Sequence, residues 1–184
     1  MTKPSERAEL YKAVLETPTG AVLEVGSWRG ETTLVLIEAA KQVGKHVYSV
    51  DPYPEELEGK VGAYTPGICA RMQDAFRENV LNGEFDNITQ FNYALGDCIN
   101  RLPQELSVVF IDGLHEYGAV ETELKLVYPR LVECGRVYIH DTSWAVGQLS
   151  GAERGGVCNI KPMMKVLFDW QEVVEFPNMI CGVK

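Results

Sequence analysis

Short apolar runs bounded by glycine alternate with longer segments that carry apolar residues every third or fourth position. This alternation predicts an α/β fold built on a doubly wound, mostly parallel sheet. Two further observations sharpen the expectation. The stretch AVLEVGSWRG, residues 21–30, passes from a buried strand through a glycine turn into a helix start. Near the other end, Glu172–Phe176 and Met179–Val183 read as strands joined only by Pro177-Asn178, a connection that permits nothing but an antiparallel pair. Seven strands are therefore expected, the terminal one antiparallel to the rest.

Composition narrows the class. The 184 residues suit one domain, an N-terminal helix and linker over 1–20 followed by a core over 21–184. A net charge of −9 disfavours nucleic acid and anionic membrane surfaces. No apolar run reaches the length of a bilayer span, and the charged N-terminus lacks an export signal. Five scattered cysteines without a C-x-x-C pair fit reduced thiols, and the cytoplasm is the expected compartment. A homodimer stays open.

Taken in order, residues 5–16 predict a helix with Leu10 and Val14 inward, ended by Thr17-Pro18-Thr19-Gly20. The first strand follows at Ala21, then a helix over 31–43 stopped by Gly44. His46–Val50 is the second strand and ends at Asp51. Residues 52–67 hold three prolines and three glycines without periodicity, and a loop this long predicts a lid or substrate wall. Ile68, Met72, Phe76 and Val80 mark a helix face ending near Asn82-Gly83. Ile88–Tyr93 is the third strand, with Gly96-Asp97 expected in a turn behind it. Leu106–Ile111 is the fourth. A helix stripe then runs Tyr117, Val120, Leu124, Val127, Leu131, with Pro129 kinking or shortening its end. Cys134-Gly135 is expected to turn into the fifth strand, Arg136–Ile139. Residues 142–159 read as loop and Ile160–Phe168 as a short helix.

The glycine turn carries the first chemical signal. A dinucleotide fold wants G-x-G-x-x-G, whereas the pattern here is Glu24-x-Gly26-Ser27-x-x-Gly30. A carboxylate two positions before the first glycine repels a pyrophosphate and suits a cationic ligand. A plain structural turn is the alternative. Asp51 stands 21 residues after Gly30, where such folds place an acid on ribose hydroxyls.

The motif resembles motif I of the class I S-adenosylmethionine-dependent methyltransferases, whose Rossmann-like sheet also ends in an antiparallel strand. A second segment, VVFIDGLHEYGAVETELKLVYPRL followed by CGRVYIHD, resembles the small-molecule O-methyltransferase branch with a D-G-x-H-x-Y segment, of the macrocin and sugar type. The resemblance implies S-adenosylmethionine as cofactor, held by Glu24, Gly26, Ser27, Gly30, Asp51 and, at the adenine corner, Asp97. It implies a small-molecule acceptor methylated on a hydroxyl. Trp28 is a pocket wall or a packing residue.

Asp112 and Asp141 are expected at the carboxyl ends of adjacent strands, where two carboxylates suit a hard divalent cation such as Mg²⁺. Capping of loops is their alternative role. His115, three residues after Asp112, is the candidate base, with an ordinary pKa near 6.5. Metal-dependent relatives often carry a carboxylate where this chain has His140; His140 with Asp112, His115 and Asp141 could instead hold Zn²⁺ or Fe²⁺. His46 is left out of the site. The rival functions are a nicotinamide-dependent oxidoreductase, which the turn spacing and the lack of a Tyr-x-x-x-Lys pair oppose, and a catalytically silent binding module.

Overall fold

The structure, a computed structural model, describes residues 2–55, 58, 65–142, 164, 166 and 168–184. The chain runs α1 (Pro4–Glu16), β1 (Ala21–Val25), α2 (Glu31–Gln42), β2 (Val47–Val50), α3 (Ile68–Phe76), β3 (Ile88–Phe91), α4 (Leu95–Cys98), β4 (Leu106–Ile111), α5 (Tyr117–Val127), β5 (Leu131–His140), β6 (Glu172–Glu175) and β7 (Met179–Val183). The seven strands form one sheet in the order β3-β2-β1-β4-β5-β7-β6. Strands β1 to β5 pair in parallel, and β7 is antiparallel to both β5 and β6.

Alternation along the central strands divides the core. In β4, Val109 and Ile111 face the layer that holds α5, while Val108 and Phe110 face the layer of α1 and α2. Leu23 and Val22 of β1 split the same way. Each such fully buried side chain contributes about 1.5–3 kcal/mol. Glu24 has the parity of Val22, so its carboxylate is carried into the second layer, beneath α2.

The helices begin where local chemistry allows. Pro4 opens α1, and the Glu6 carboxylate accepts the Lys3 backbone N–H at 2.5 Å. Gly30, left-handed at φ +84°, starts α2. Its missing Cβ makes room for Val80, whose Cγ2 would lie 2.4 Å from one. Helix α3 continues as a π turn over Arg77–Leu81, which seats Val80 there.

Several boundaries differ from the sequence expectation: β2 starts at Val47, β3 ends at Phe91, and the largest change is at β5. Helix α5 stops at Val127, one 3₁₀ turn holds Pro129, and β5 already starts at Leu131 rather than at Arg136. Leu131 pairs with Leu106 and is buried in the sheet. Its spacing fits the helical stripe, but the proline interrupts the helix before the stripe is completed. Gly96-Asp97 lies within α4, a helix too short to leave a periodic signal.

Half of the expected lid over 52–67 lies outside the described residues, as do the loop over 142–159 except Thr142 and most of the helix expected over 160–168. Of that last stretch, Met164 is fully buried against the core. Among the described residues no helix is long and apolar enough to cross a membrane, and Cys69, Cys98, Cys134 and Cys181 are free thiols.

Candidate active site

The sheet reverses its strand order at β1, which pairs with β2 on one side and β4 on the other. A crevice at such a switch point is where open α/β sheets bind ligands. Two backbone bonds register the strand ends there. Gly26 N–H donates to Val50 O, and Asp112 N–H donates to Val25 O, both at 2.8 Å. A Cβ on Gly26, at φ +87°, would lie 2.4 Å from the Asp112 carbonyl oxygen. The glycine is thus required by the approach of two backbones.

Asp51 holds the turn. Its Oδ2 accepts the backbone N–H groups of Ser27 at 3.0 Å and Trp28 at 2.9 Å, and its Oδ1 accepts that of Tyr53 at 2.9 Å. Burial pushes its pKa up, and these three bonds oppose that rise. The Tyr53 hydroxyl donates to Trp28 O at 2.9 Å, closing the arrangement. Trp28 and Tyr53 both sit in the left-handed region, at φ +50° and +46°. Such residues cost about 1–3 kcal/mol each and persist where their surroundings over-determine them.

Glu24 lies beneath the turn with no exposed surface. Its Oε2 accepts the hydroxyls of Thr33 at 2.5 Å and Ser49 at 3.2 Å, while Oε1 has no hydrogen-bond partner. Burial pushes its pKa to about 8, against the two hydroxyl bonds. A buried carboxyl with one orphaned oxygen suits a cationic group, and the edge formed by Asp51, Asp112 and Asp141 is hostile to a pyrophosphate.

The second half of the edge lies over β4 and β5. Ile111 pairs with Ile139, which brings Asp112 beside His140 and Asp141. Asp112, His115 and Asp141 each offer one ligand atom, all within 4.8 Å of one another. His115 Nε2 stands 3.1 Å from Asp141 Oδ2 and 3.6 Å from Asp112 Oδ1. Two carboxylate oxygens and an imidazole nitrogen are a donor set that a divalent cation accepts. His140 is not in this group. Its Nδ1 lies 3.0 Å from Asp112 Oδ1 and 3.2 Å from Asp141 Oδ1, and its Nε2 lies 3.1 Å from Glu6 Oε2.

Charge in the cluster is tightly balanced. Burial disfavours the imidazolium of His115, but the bonds and charges of Asp112 and Asp141 outweigh it and raise its pKa to about 9. The same causes raise His140 to about 10. Asp112 and Asp141 are held below the ordinary carboxylate value, because the two histidines outweigh burial. The ordinary imidazole pKa expected for His115 therefore does not hold. Asp141 is left-handed at φ +57°, and Asn178 Nδ2 donates to its Oδ1 at 2.8 Å.

The expected residues fall into three sets. Glu24, Gly26, Ser27, Gly30 and Asp51 share the turn over β1 and β2. Asp112, His115 and Asp141 share the edge over β4 and β5. Asp97 is exposed in α4, beyond β3. Glu6, Tyr53, Glu123 and Asn178 belong to the site without having been singled out. Glu123 reaches over the Gly113 turn, with its Oε2 unpartnered, and burial raises its pKa to about 7. Asn178 reads in sequence as half of a hairpin turn, Glu6 as a surface position of a helix, and Tyr53 as loop. A concavity of about 370 Å³ lined by Thr17, Gly20, Lys45 and His46 opens at the amino ends of the strands, away from these groups.

Comparison with known proteins bears on this arrangement. A family profile described as "Methyltransferase domain" matches residues 23–142. The fold is similar to three solved structures, each spanning all of this chain. They are the O-methyltransferase TomG from Streptomyces achromogenes in complex with SAM (12% identity, 82% of that chain, TM-score 0.70), an O-methyltransferase from Bacillus cereus in complex with SAH (13%, 83%, 0.70), and the SAH-bound methyltransferase PaMTH1 from Podospora anserina (16%, 80%, 0.66). No curated protein matches the sequence at a significant level.

Proposed function

Because the chain belongs to the methyltransferase-domain family, we propose that it methylates a hydroxyl group of a small molecule, with S-adenosylmethionine at the glycine turn and a divalent cation, Mg²⁺ first, between Asp112 and Asp141. The observation that carries the reading is the convergence of Asp112, His115 and Asp141 within 4.8 Å, beside a turn whose buried Glu24 has an orphaned oxygen. The cofactor supplies a methyl group on a cationic sulfur, and the cation supplies a Lewis acid that lowers the pKa of the acceptor hydroxyl.

The chain's own residues do the rest. Gly26, Ser27 and Gly30 shape the turn, and Asp51 fixes it through three backbone N–H groups. The edge of the Asp51 carboxylate is the assigned ribose contact, and Glu24 Oε1 is the acceptor for the cofactor's ammonium. Asp112 and Asp141 direct two carboxylates to one point and so orient the acceptor oxygen. Rate comes first from that alignment. His115, once its Nε2 proton has passed to solvent and the ion pair with Asp141 is broken, would offer the Nε2 lone pair to the hydroxyl proton.

The test is methyl transfer to a panel of hydroxyl compounds, with and without EDTA. The reading expects EDTA, Asp112→Asn and Asp141→Asn each to stop transfer while S-adenosylmethionine still binds. It expects His115→Ala to slow transfer by roughly 10²–10⁴-fold. Full activity in EDTA discards the cation and leaves the His115–Asp141 pair as a metal-free base. Hydride transfer to NAD by the chain would establish the oxidoreductase instead.

A further inference from the structure

We infer that Glu6, on the N-terminal helix, is a positioning residue for the candidate metal centre and acts through His140. The inference rests on the cation reading proposed above.

One oxygen of Glu6 does two things. Oε2 accepts the Lys3 backbone N–H at 2.5 Å, which caps α1, and lies 3.1 Å from His140 Nε2. Glu6 is 5% exposed and His140 1% exposed, so water does not compete for either bond. On its other side His140 Nδ1 reaches Oδ1 of Asp112 at 3.0 Å and of Asp141 at 3.2 Å. A carboxylate only accepts hydrogen bonds, so both ring nitrogens must donate. A ring that donates from both nitrogens has no lone pair for a metal. This removes His140 from the ligand set and makes it a clamp between the two carboxylates and α1.

The consequence is geometric. His140 bonds the Oδ1 atoms of Asp112 and Asp141, and Asn178 Nδ2 adds a further donor to Asp141 Oδ1 at 2.8 Å. Asn178 Nδ2 also lies 3.4 Å from His140 Nε2, but an amide nitrogen only donates and cannot take the ring N–H in place of Glu6. Fixing Oδ1 sets the rotation of each carboxylate and thus where its second oxygen points. Asp141 Oδ2 is the oxygen that faces His115. Partners of this outer kind typically carry 10- to 100-fold of metal affinity. Without Glu6, His140 loses the anchor that sets its ring, and both carboxylates lose their orientation together. The chain thereby ties the docking of its first helix to the strand-edge site, 134 residues away in sequence.

The test is Mn²⁺ affinity of the purified chain, read by electron paramagnetic resonance, beside thermal melts. Glu6→Ala should weaken Mn²⁺ binding about tenfold, at the lower end of that range. Glu6→Gln should stay within about threefold of wild type, because its amide oxygen can accept both bonds. In a His140→Gln background, Glu6→Ala should change the affinity less than about twofold, since the link is already cut. The loss of the α1 cap should lower the melting temperature in both backgrounds. A Glu6→Ala shift below twofold, or an equal shift in both backgrounds, overturns the inference while leaving the cation reading intact. A wild-type chain that binds no Mn²⁺ overturns both.

Discussion

Asp51 Oδ2 accepts the backbone N–H of Trp28 at 2.9 Å, so the acid at the end of β2 builds the turn at the end of β1 before it meets any ligand. Asp51→Ala removes that bond together with those of Ser27 and Tyr53. It should lower stability by about 2–4 kcal/mol, since three buried N–H groups lose a charged acceptor. It should also weaken S-adenosylhomocysteine binding by at least tenfold. Melts and calorimetry on the same samples check both. A stable variant that binds normally contradicts the arrangement.

Gly26→Ala should cost about 2–4 kcal/mol, from a left-handed φ and from a Cβ driven against the Asp112 and Gly113 backbone. The strain falls between β1 and β4, so the variant should perturb both the turn and the Asp112 edge. Backbone amide shifts that move at Ser27 and Trp28 but not at Asp112 and Gly113 would contradict this placement.

Glu24 is held in a state that costs stability as pH rises. Its folded pKa of about 8, against an ordinary 4.5, means that the folded chain keeps a proton the unfolded chain loses. Between about pH 4.5 and 8 this lowers stability as pH rises, and the cost is complete above pH 8. Glu24→Gln should therefore be more stable than wild type at pH 8, by about 2 kcal/mol or more, and nearly equal at pH 4. The same variant should bind S-adenosylmethionine more weakly. A constant stability difference across pH 4–8 would contradict the buried, protonated carboxyl.

The histidine cluster titrates with the opposite origin but the same direction above neutrality. His115 and His140 have raised folded pKa values, about 9 and about 10, so their contribution is present below about 6.5 and is lost as pH rises through 9 and 10. Asp112 and Asp141 are depressed, so their share is lost as pH falls below the ordinary 3.8. In chelator-treated protein the melting temperature should fall between about pH 6.5 and 10. Asp141→Asn should flatten that decline, and an unchanged slope would contradict the ion pairs.

The strands were legible because a strand buried on both faces leaves an unbroken apolar run, as Leu106–Ile111 does. The turn at Gly26 and the acids at Asp51, Asp112 and Asp141 were legible for a related reason: each ends such a run. What could not be read depends on contacts distant in sequence. Nothing local marks Glu6 as the partner of His140, or Asn178 as the donor to Asp141. In sequence Asp51 reads as a ligand contact, and its bonds to Ser27 and Trp28 appear only when β1 and β2 lie side by side. The start of β5 at Leu131 was hidden because one apolar residue satisfied two periods at once.

In the proposed function the turn over β1 and β2 binds the cofactor independently of the ion edge over β4 and β5. Calorimetric titration of the wild-type chain with S-adenosylhomocysteine in the presence of EDTA decides whether it does. Saturable binding at one site per chain is the predicted result. A flat titration in EDTA, with or without binding when Mg²⁺ is restored, would contradict it.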